Sequence, residues 1–437
     1  MIFNDFERVK TNYFELLGSG LGLAKPEILI GNRNSSKIKM SIMQLSIPSY
    51  FKIMNNTLYD MSYHISGYGQ SNEESLTRCL GETVERYSFM SSYWLIKDRL
   101  ITSTYNELKT KKEADVLPLE YINIFSKNDK NFNFLEKNDI VDWIKLKNYC
   151  NSKDIYYPIA LITTDVSAKK YNFPAMSTGT ATHISYERAL INALTEQLQI
   201  HLFMTNWYGL KKMPIIDLKK IPYSIKSILR ETFSNNDIEI IVLDCSLEEI
   251  NFFNYVTIFK SKNRKFPYCA IGLQGGLCAE KALLRSIMEA SAIYINLQEM
   301  YLYKEPLINK LNSKNTLDQY NLDAPFLFWA NYIDMEKKEK ILTTLIDFNN
   351  KKEIEYKEEF SIEKQLSILL KYFTKKLNYF SVIEISSLDS YKSGYKTVRC
   401  IAPELVTMNY PAMAYENHPY FKSNGGIKNG NFTHPLP

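Results

Sequence analysis

At 437 residues, 45% hydrophobic and 23% charged, the chain can bury a large core, and its composition is neither disordered nor fibrous. Its formal charge of +5 is small for this length, and acids interleave with bases in runs such as LKTKKEAD and NNKKEIEYKEEF, so no basic block is offered to nucleic acid. The 31 Tyr and 23 Phe predict an aromatic core or pocket wall.

The first residues, MIFNDFERVKTN, bring in Asp5, Glu7 and Lys10 before any apolar run develops, unlike a signal peptide. No later run approaches the roughly 20 apolar residues that span a bilayer, so a cytoplasmic protein without membrane association is expected. Neither an internal repeat nor a linker stands out.

Ser71–Met90, SNEESLTRCLGETVERYSFM, has capping-box spacing between Ser71 and Glu74 and predicts a helix to about Ser92. Leu76, Leu80, Val84 and Tyr87 form its core stripe. Arg78, Glu82 and Glu85 form another, flanked by Arg86. Two readings stand: a solvated face with ordinary Arg78–Glu82 and Glu82–Arg86 pairs, or carboxylates bridged by a hard cation such as Mg²⁺.

Residues 106–154 and 305–360, rich in Lys and Asn, have weaker periodicity and read as peripheral elaborations, with SKNDKNFNF as a surface loop. In STGTATHISYERALINALTEQLQIHLF, Ser185 caps a second helix, with Ala189, Ala193 and Leu194 on an apolar side and Glu196 and Gln199 on another. Short β-branched and aromatic runs then predict strands at Ile238–Leu243, Tyr255–Phe259 and Ala270–Leu273. A glycine-bearing loop at Gly272, Gly275 and Gly276 leads into a third helix with Arg285 and Glu289 four apart. Ser361 caps a helix with Ile362, Leu366, Leu369, Leu370, Phe373 and Leu377 at helical spacing, and strands follow at Tyr379–Ile385 and Thr397–Ile401.

Three helices thus each present an acid. Were they to converge, they could hold Mg²⁺ and a polyphosphate, with Arg86 and Arg285 neutralising phosphate oxygens. GLQGG lacks the Gly-Lys-Ser/Thr of a P-loop, and GYGQSN is not a dinucleotide fingerprint. The six cysteines have no C-x-x-C pair or zinc spacing and read as reduced thiols. His183 and His201 read as packing residues.

These motifs, in this order, resemble the YcaO family of ATP-dependent enzymes that modify peptide backbone amides. GYGQSNEESLTRCLGETVERYS resembles its first signature and GLQGGLCAEKALLRSIMEA its third. TVRCIAPELV is similar to its late strand, with Glu404 in place of a glycine, and the final THPLP resembles the proline-rich terminus of azoline-forming members. The resemblance implies an α+β fold of mixed β-sheets packed with long helices around a central nucleotide site, with residues 1–60 an N-terminal elaboration and 61–437 the catalytic domain and its functional proline-containing tail.

By the same resemblance Glu82, Glu85, Glu196 and Glu289 are metal ligands, Arg86 and Arg285 phosphate contacts, and the Pro437 carboxylate a base or orienting group. The middle signature departs from the family: Gln199 and Ile200 replace an acid and an arginine, and Ala181, Ile184 and Arg188 stand where nucleotide contacts belong. Gln199, among the implied cofactor-binding residues, can still offer a carbonyl oxygen to a hard cation. The implied activity is cyclodehydration of Cys, Ser or Thr in a precursor peptide to thiazolines or oxazolines, in thiazole/oxazole-modified ribosomal-peptide biosynthesis, with ATP phosphorylating the backbone amide oxygen.

Without an obvious N-terminal leader-binding domain, the chain is expected to need an E1-like leader-binding partner. A flavin-dependent azoline oxidase and a homodimer within a larger complex are further expected partners. The alternatives are thioamide or macroamidine formation, or a degenerate, non-catalytic scaffold subunit.

Overall fold

The computed structural model describes residues 23–30, 41–47, 63–126, 134–163, 176–232, 237–263, 265–303, 323–354, 359–411 and 413–436. The SKNDKNFNF segment lies mostly outside them, as does Pro437.

Strands β1 (Lys25–Ile30), β2 (Ser41–Ile47) and β3 (Tyr63–Gly69) form an antiparallel sheet in that order. Helix α1 (Asn72–Ile96) follows, capped by the Ser71 side chain, which accepts from the Glu74 N–H. Next come β4 (Leu100–Ser103), β5 (Asp115–Val116), β6 (Val141–Lys147) and β7 (Asp154–Pro158), paired in the order β4-β6-β7-β5. β8 (Thr180–His183) leads into α2 (Tyr186–Gly209), capped by Ser185.

The largest described sheet takes β9 (Met213–Ile216), β10 (Ile238–Asp244), β11 (Phe253–Ser261) and β12 (Cys269–Gly276), with β13 (Ile346–Lys352) added parallel to β9. Its order is β12-β11-β10-β9-β13, which leaves β12 at an edge. Helix α3 (Ala279–Tyr303) follows β12, then α4 (Asp323–Ala330), α5 (Met335–Leu345) and α6 (Ile362–Lys376), the last capped by Ser361. β14 (Ser381–Glu384) and β15 (Lys396–Ile401) form a second wholly antiparallel sheet with β8, in the order β14-β15-β8.

The alternation of β-strand side chains explains the layering. Tyr255 and Phe259 of β11 pack with Leu283, Ile287 and Ala290 of α3 on one face. Val256 and Ile258, between them in sequence, pack with Phe203, Met204 and Trp207 of α2 on the other. Each fully buried large side chain of this kind contributes roughly 2–3 kcal/mol.

Several expectations need correction. Helix α1 runs one turn past Ser92, to Ile96, because Phe89, Met90 and Ile96 are still buried against the core. Arg78 pairs with Glu74, not Glu82. Residues 106–154 are not merely peripheral: Leu108, Val116, Leu117, Trp143 and Ile144 are buried in one cluster with Phe89 and Ile96 of α1. Within 323–345, α4 buries Phe326, Leu327, Phe328 and Trp329. Gly272, Gly275 and Gly276 belong to β12 rather than to a loop. A Cβ on Gly272 would stand 2.3 Å from the Ser286 carbonyl oxygen and 2.4 Å from the Ala290 nitrogen, so the missing side chain lets α3 lie flat on its strand. All six cysteines are free.

The sequence shows no repeat, but the architecture has one. β3–α1, β8–α2 and β12–α3 are each a strand, two linking residues and a helix of 25, 24 and 25 residues. Each helix also touches a strand of another unit: α1 meets β8, α2 meets β12 and α3 meets β3. The three units close into a ring.

Candidate active site

Glu82, Glu196 and Glu289 are each the eleventh residue of their helices. Each accepts a backbone N–H from its own unit: Glu82 from Ser66 at 3.3 Å, Glu196 from Gly179 at 3.0 Å, Glu289 from Leu273 at 2.7 Å. Gly179, which leads into β8, has φ +85°, and a Cβ there would strike the Gln197 amide. Only glycine brings that N–H to Glu196 without strain.

The fourth predicted acid, Glu85, lies one turn beyond Glu82. The backbone of Thr182 on β8, in the next unit, opposes the rise in its pKa. Arg86 sits between the two acids of α1, 3.6 Å from Glu82 and 3.9 Å from Glu85. Glu82, Glu85, Arg86, Glu196 and Glu289 are all partly open to solvent.

Burial raises all four carboxyls above the ordinary range. Glu196 is pushed up to about 7 and Glu289 to about 7. Glu82 is raised by burial against the opposing pull of Arg86. Glu85 is raised by burial and then by the charges of Glu196 and Glu82, again against Arg86. The field of Glu82 also reaches Glu196 and Glu289, so the ring brings the acids into one electrostatic neighbourhood.

Arg285, one turn before Glu289, is open to solvent, and desolvation of its guanidinium, then the charge of Arg78, lowers its pKa.

Gln199, three residues past Glu196, is fully engaged with β12. Its Nε2 donates to the Leu273 carbonyl at 2.9 Å and its Oε1 accepts from the Gly275 N–H at 2.9 Å. Ala181 and Ile200 are buried, Ile184 packs against the β3–α1 core, and Arg188 is exposed. His201 accepts from the Val406 N–H at 3.0 Å, and burial lowers its pKa to about 3, in keeping with a packing role.

Sequence reasoning missed Tyr68, Gln274 and Arg399. Gln274 donates to Glu289 at 3.3 Å and to the Tyr68 hydroxyl at 3.4 Å, joining β12 to β3. The glycines around Tyr68 were the available signal. Buried Arg399 donates to the carbonyls of Leu161 and Met176 and to the Thr180 hydroxyl, and its charge acts on Glu196. No sequence signal marks it, because those partners lie far along the chain.

The tail is built in rather than trailing. Trp207 and Trp329 donate indole N–H groups to the carbonyls of Phe432 and Thr433 at 3.1 and 2.9 Å. Leu436 is buried in the core cluster that includes Leu273.

The donor set fits Mg²⁺, which favours oxygen ligands, keeps several waters and is commonly held by one or two carboxylates plus phosphate oxygens. Among the described residues no three His, Cys, Asp or Glu side chains close on one point, and that ligand economy requires none to do so. The upward-shifted acids are short of positive charge, which a divalent cation would supply.

The family model described as YcaO cyclodehydratase, ATP- and Mg²⁺-binding, matches residues 66–406. A heterocyclase in complex with substrate and cofactor superposes with a TM-score of 0.72 at 16% identity, over 99% of this chain. This chain spans 57% of that heterocyclase. YcaO from Methanopyrus kandleri, bound with AMPPCP and Mg²⁺, gives 0.58 at 11% identity, over 87% of this chain and 86% of its own. The E. coli microcin synthetase McbBCD complex with pro-MccB17 bound gives 0.64 at 16%, over 95% and 100%. No curated protein matches the sequence. Among the described residues no helix is long and apolar enough to cross a membrane. The fold is the YcaO fold, and the chain belongs to the YcaO cyclodehydratase family.

Proposed function

We infer that this chain is an ATP-dependent peptide cyclodehydratase that converts Cys, Ser or Thr of a precursor peptide into thiazolines or oxazolines. The observation that carries this reading is the equivalent placement of Glu82, Glu196 and Glu289 in three units, within one electrostatic neighbourhood. Glu82, Glu85, Glu196 and Glu289 would hold Mg²⁺, and Arg86 and Arg285 would meet phosphate oxygens. Bound Mg²⁺–ATP supplies the phosphoryl group that turns an amide oxygen into a leaving group. The protein's own work is positioning: backbone N–H groups of Ser66, Gly179 and Leu273 fix the acids in place, so little reorganisation accompanies reaction. The Pro437 carboxylate would act as a base or orienting group.

Substrate capture is assigned to a leader-binding E1-like partner, with an azoline oxidase acting afterwards and a homodimer inside the complex. A second reading, a scaffold subunit with a degenerate site, draws on the apolar packing of Ala181, Ile184 and Ile200 where polar contacts are expected. The test combines this chain, Mg²⁺, ATP, candidate precursor peptide and partner proteins. Loss of one water per modified residue, abolished by Glu82→Gln and Glu85→Gln, is expected. Replacement of oxygen by sulfur without ring formation would point to thioamide chemistry. Full peptide modification by the Glu82→Gln variant supports the scaffold.

A further inference from the structure

Two side chains, those of Glu289 and Gln199, occupy the edge of β12 that faces away from β11. Leu273 donates its N–H to Glu289, while its carbonyl and the Gly275 N–H pair with the two ends of the Gln199 amide. One amide that donates to residue i and accepts from residue i+2 reproduces what a neighbouring strand would do at an unpaired edge. The backbone carbonyl of Gln199 in turn accepts from Asn254 Nδ2 at 3.0 Å, on β11, the strand next to β12. Glu85 and Gln199 are each the fourteenth residue of their helices. Both face the next unit's strand: Gln199 bonds to Leu273 and Gly275, and the backbone of Thr182 acts on the Glu85 carboxyl.

We propose that Gln199 is a positioning residue rather than a cation ligand: its amide locks the β12 edge so that the Leu273 N–H orients Glu289. This rests on the proposed function only for what Glu289 holds. An ionised glutamate at this position could accept from Gly275 but has no hydrogen to give the Leu273 carbonyl. Amide chemistry is therefore required here, and charge is not.

The test uses the full chain with Gln199→Met and Gln199→Glu. Amide hydrogen exchange without nucleotide, and Mg²⁺-dependent AMPPCP binding by calorimetry, are both measured. In Gln199→Met, exchange at Gly275 accelerates about tenfold, the loss of one ordinary hydrogen bond, and exchange at Leu273 rises with it. Gln199→Glu keeps partial protection at Gly275 but not at Leu273. Both variants weaken AMPPCP binding by a similar factor, of order tenfold, with Tm little changed. Unaltered exchange in Gln199→Met overturns the lock. Altered exchange with unchanged AMPPCP affinity overturns the positioning role. Gln199→Glu binding Mg²⁺–AMPPCP more tightly than wild type restores the ligand assignment. Should wild type bind no AMPPCP, the proposed function fails, and the exchange data still decide whether the lock exists.

Discussion

The guanidinium of Arg86 lies 3.6 Å from the carboxylate of Glu82, one turn earlier on the same helix. Being planar, it also approaches Glu85 at 3.9 Å, which a lysine's point charge on a flexible stem does less well. Arg86→Lys is expected to reduce ATP turnover about 10²-fold and Arg86→Met further, on the scale of lost transition-state charge stabilisation. Phosphate release in the presence of peptide substrate measures this. Near-wild-type turnover by Arg86→Met removes Arg86 from the site.

Burial and two neighbouring acids disfavour the ionised form of Glu85. Glu85→Gln is therefore expected to make the metal-free protein more stable at pH 8, by about 1 kcal/mol, while eliminating turnover, as when a functional group is kept at a cost in stability. Urea unfolding in EDTA reads the first effect. Adding Mg²⁺ and AMPPCP should raise Tm in wild type but not in the variant; a loss of stability in EDTA contradicts the repulsion described.

His434 donates from Nε2 to the Asn409 carbonyl at 3.0 Å, and burial lowers its pKa to about 4. The unfolded chain takes up this proton near pH 6.5, so the contribution is whole above pH 6.5 and is lost as pH falls towards 4. Glu196 and Glu289, raised to about 7, act in the opposite sense, and the diagnostic quantity is a difference between proteins. His434→Gln should flatten the stability-against-pH curve in this window by about 1.4 kcal/mol per pH unit. Parallel curves refute a neutral buried His434.

Leu436 is 3% exposed, in the cluster with Trp207 and Trp329. Leu436→Ala is expected to cost about 2–4 kcal/mol in chemical denaturation. Deleting Pro437 alone should spare stability and nucleotide binding but abolish azoline formation. Retained ring formation by that truncation removes the tail from the chemistry.

Local chemistry made much of this molecule readable from its residues. Ser71, Ser185 and Ser361 cap where hydroxyl side chains should, and β10 to β12 sit where β-branched residues cluster. The acid-bearing helices were legible because carboxylates on otherwise apolar faces are conspicuous. Pairings between distant segments were not, as the parallel match of β13 with β9 shows. Nothing in IDFNNKK specifies its neighbour. The threefold architecture escaped notice because its units share helix geometry and one glutamate rather than a sequence. Arg399 and the tail escaped because their partners are carbonyl groups and indoles contributed by remote segments.

That the three units must close before the acids meet has a bearing on biosynthesis. Glu82 emerges from the ribosome long before Glu289, and neither helix has a complete cation site by itself. On the proposed function, a nascent or prematurely terminated chain is inert towards ATP, and nucleotide consumption starts only once the last unit docks on the first.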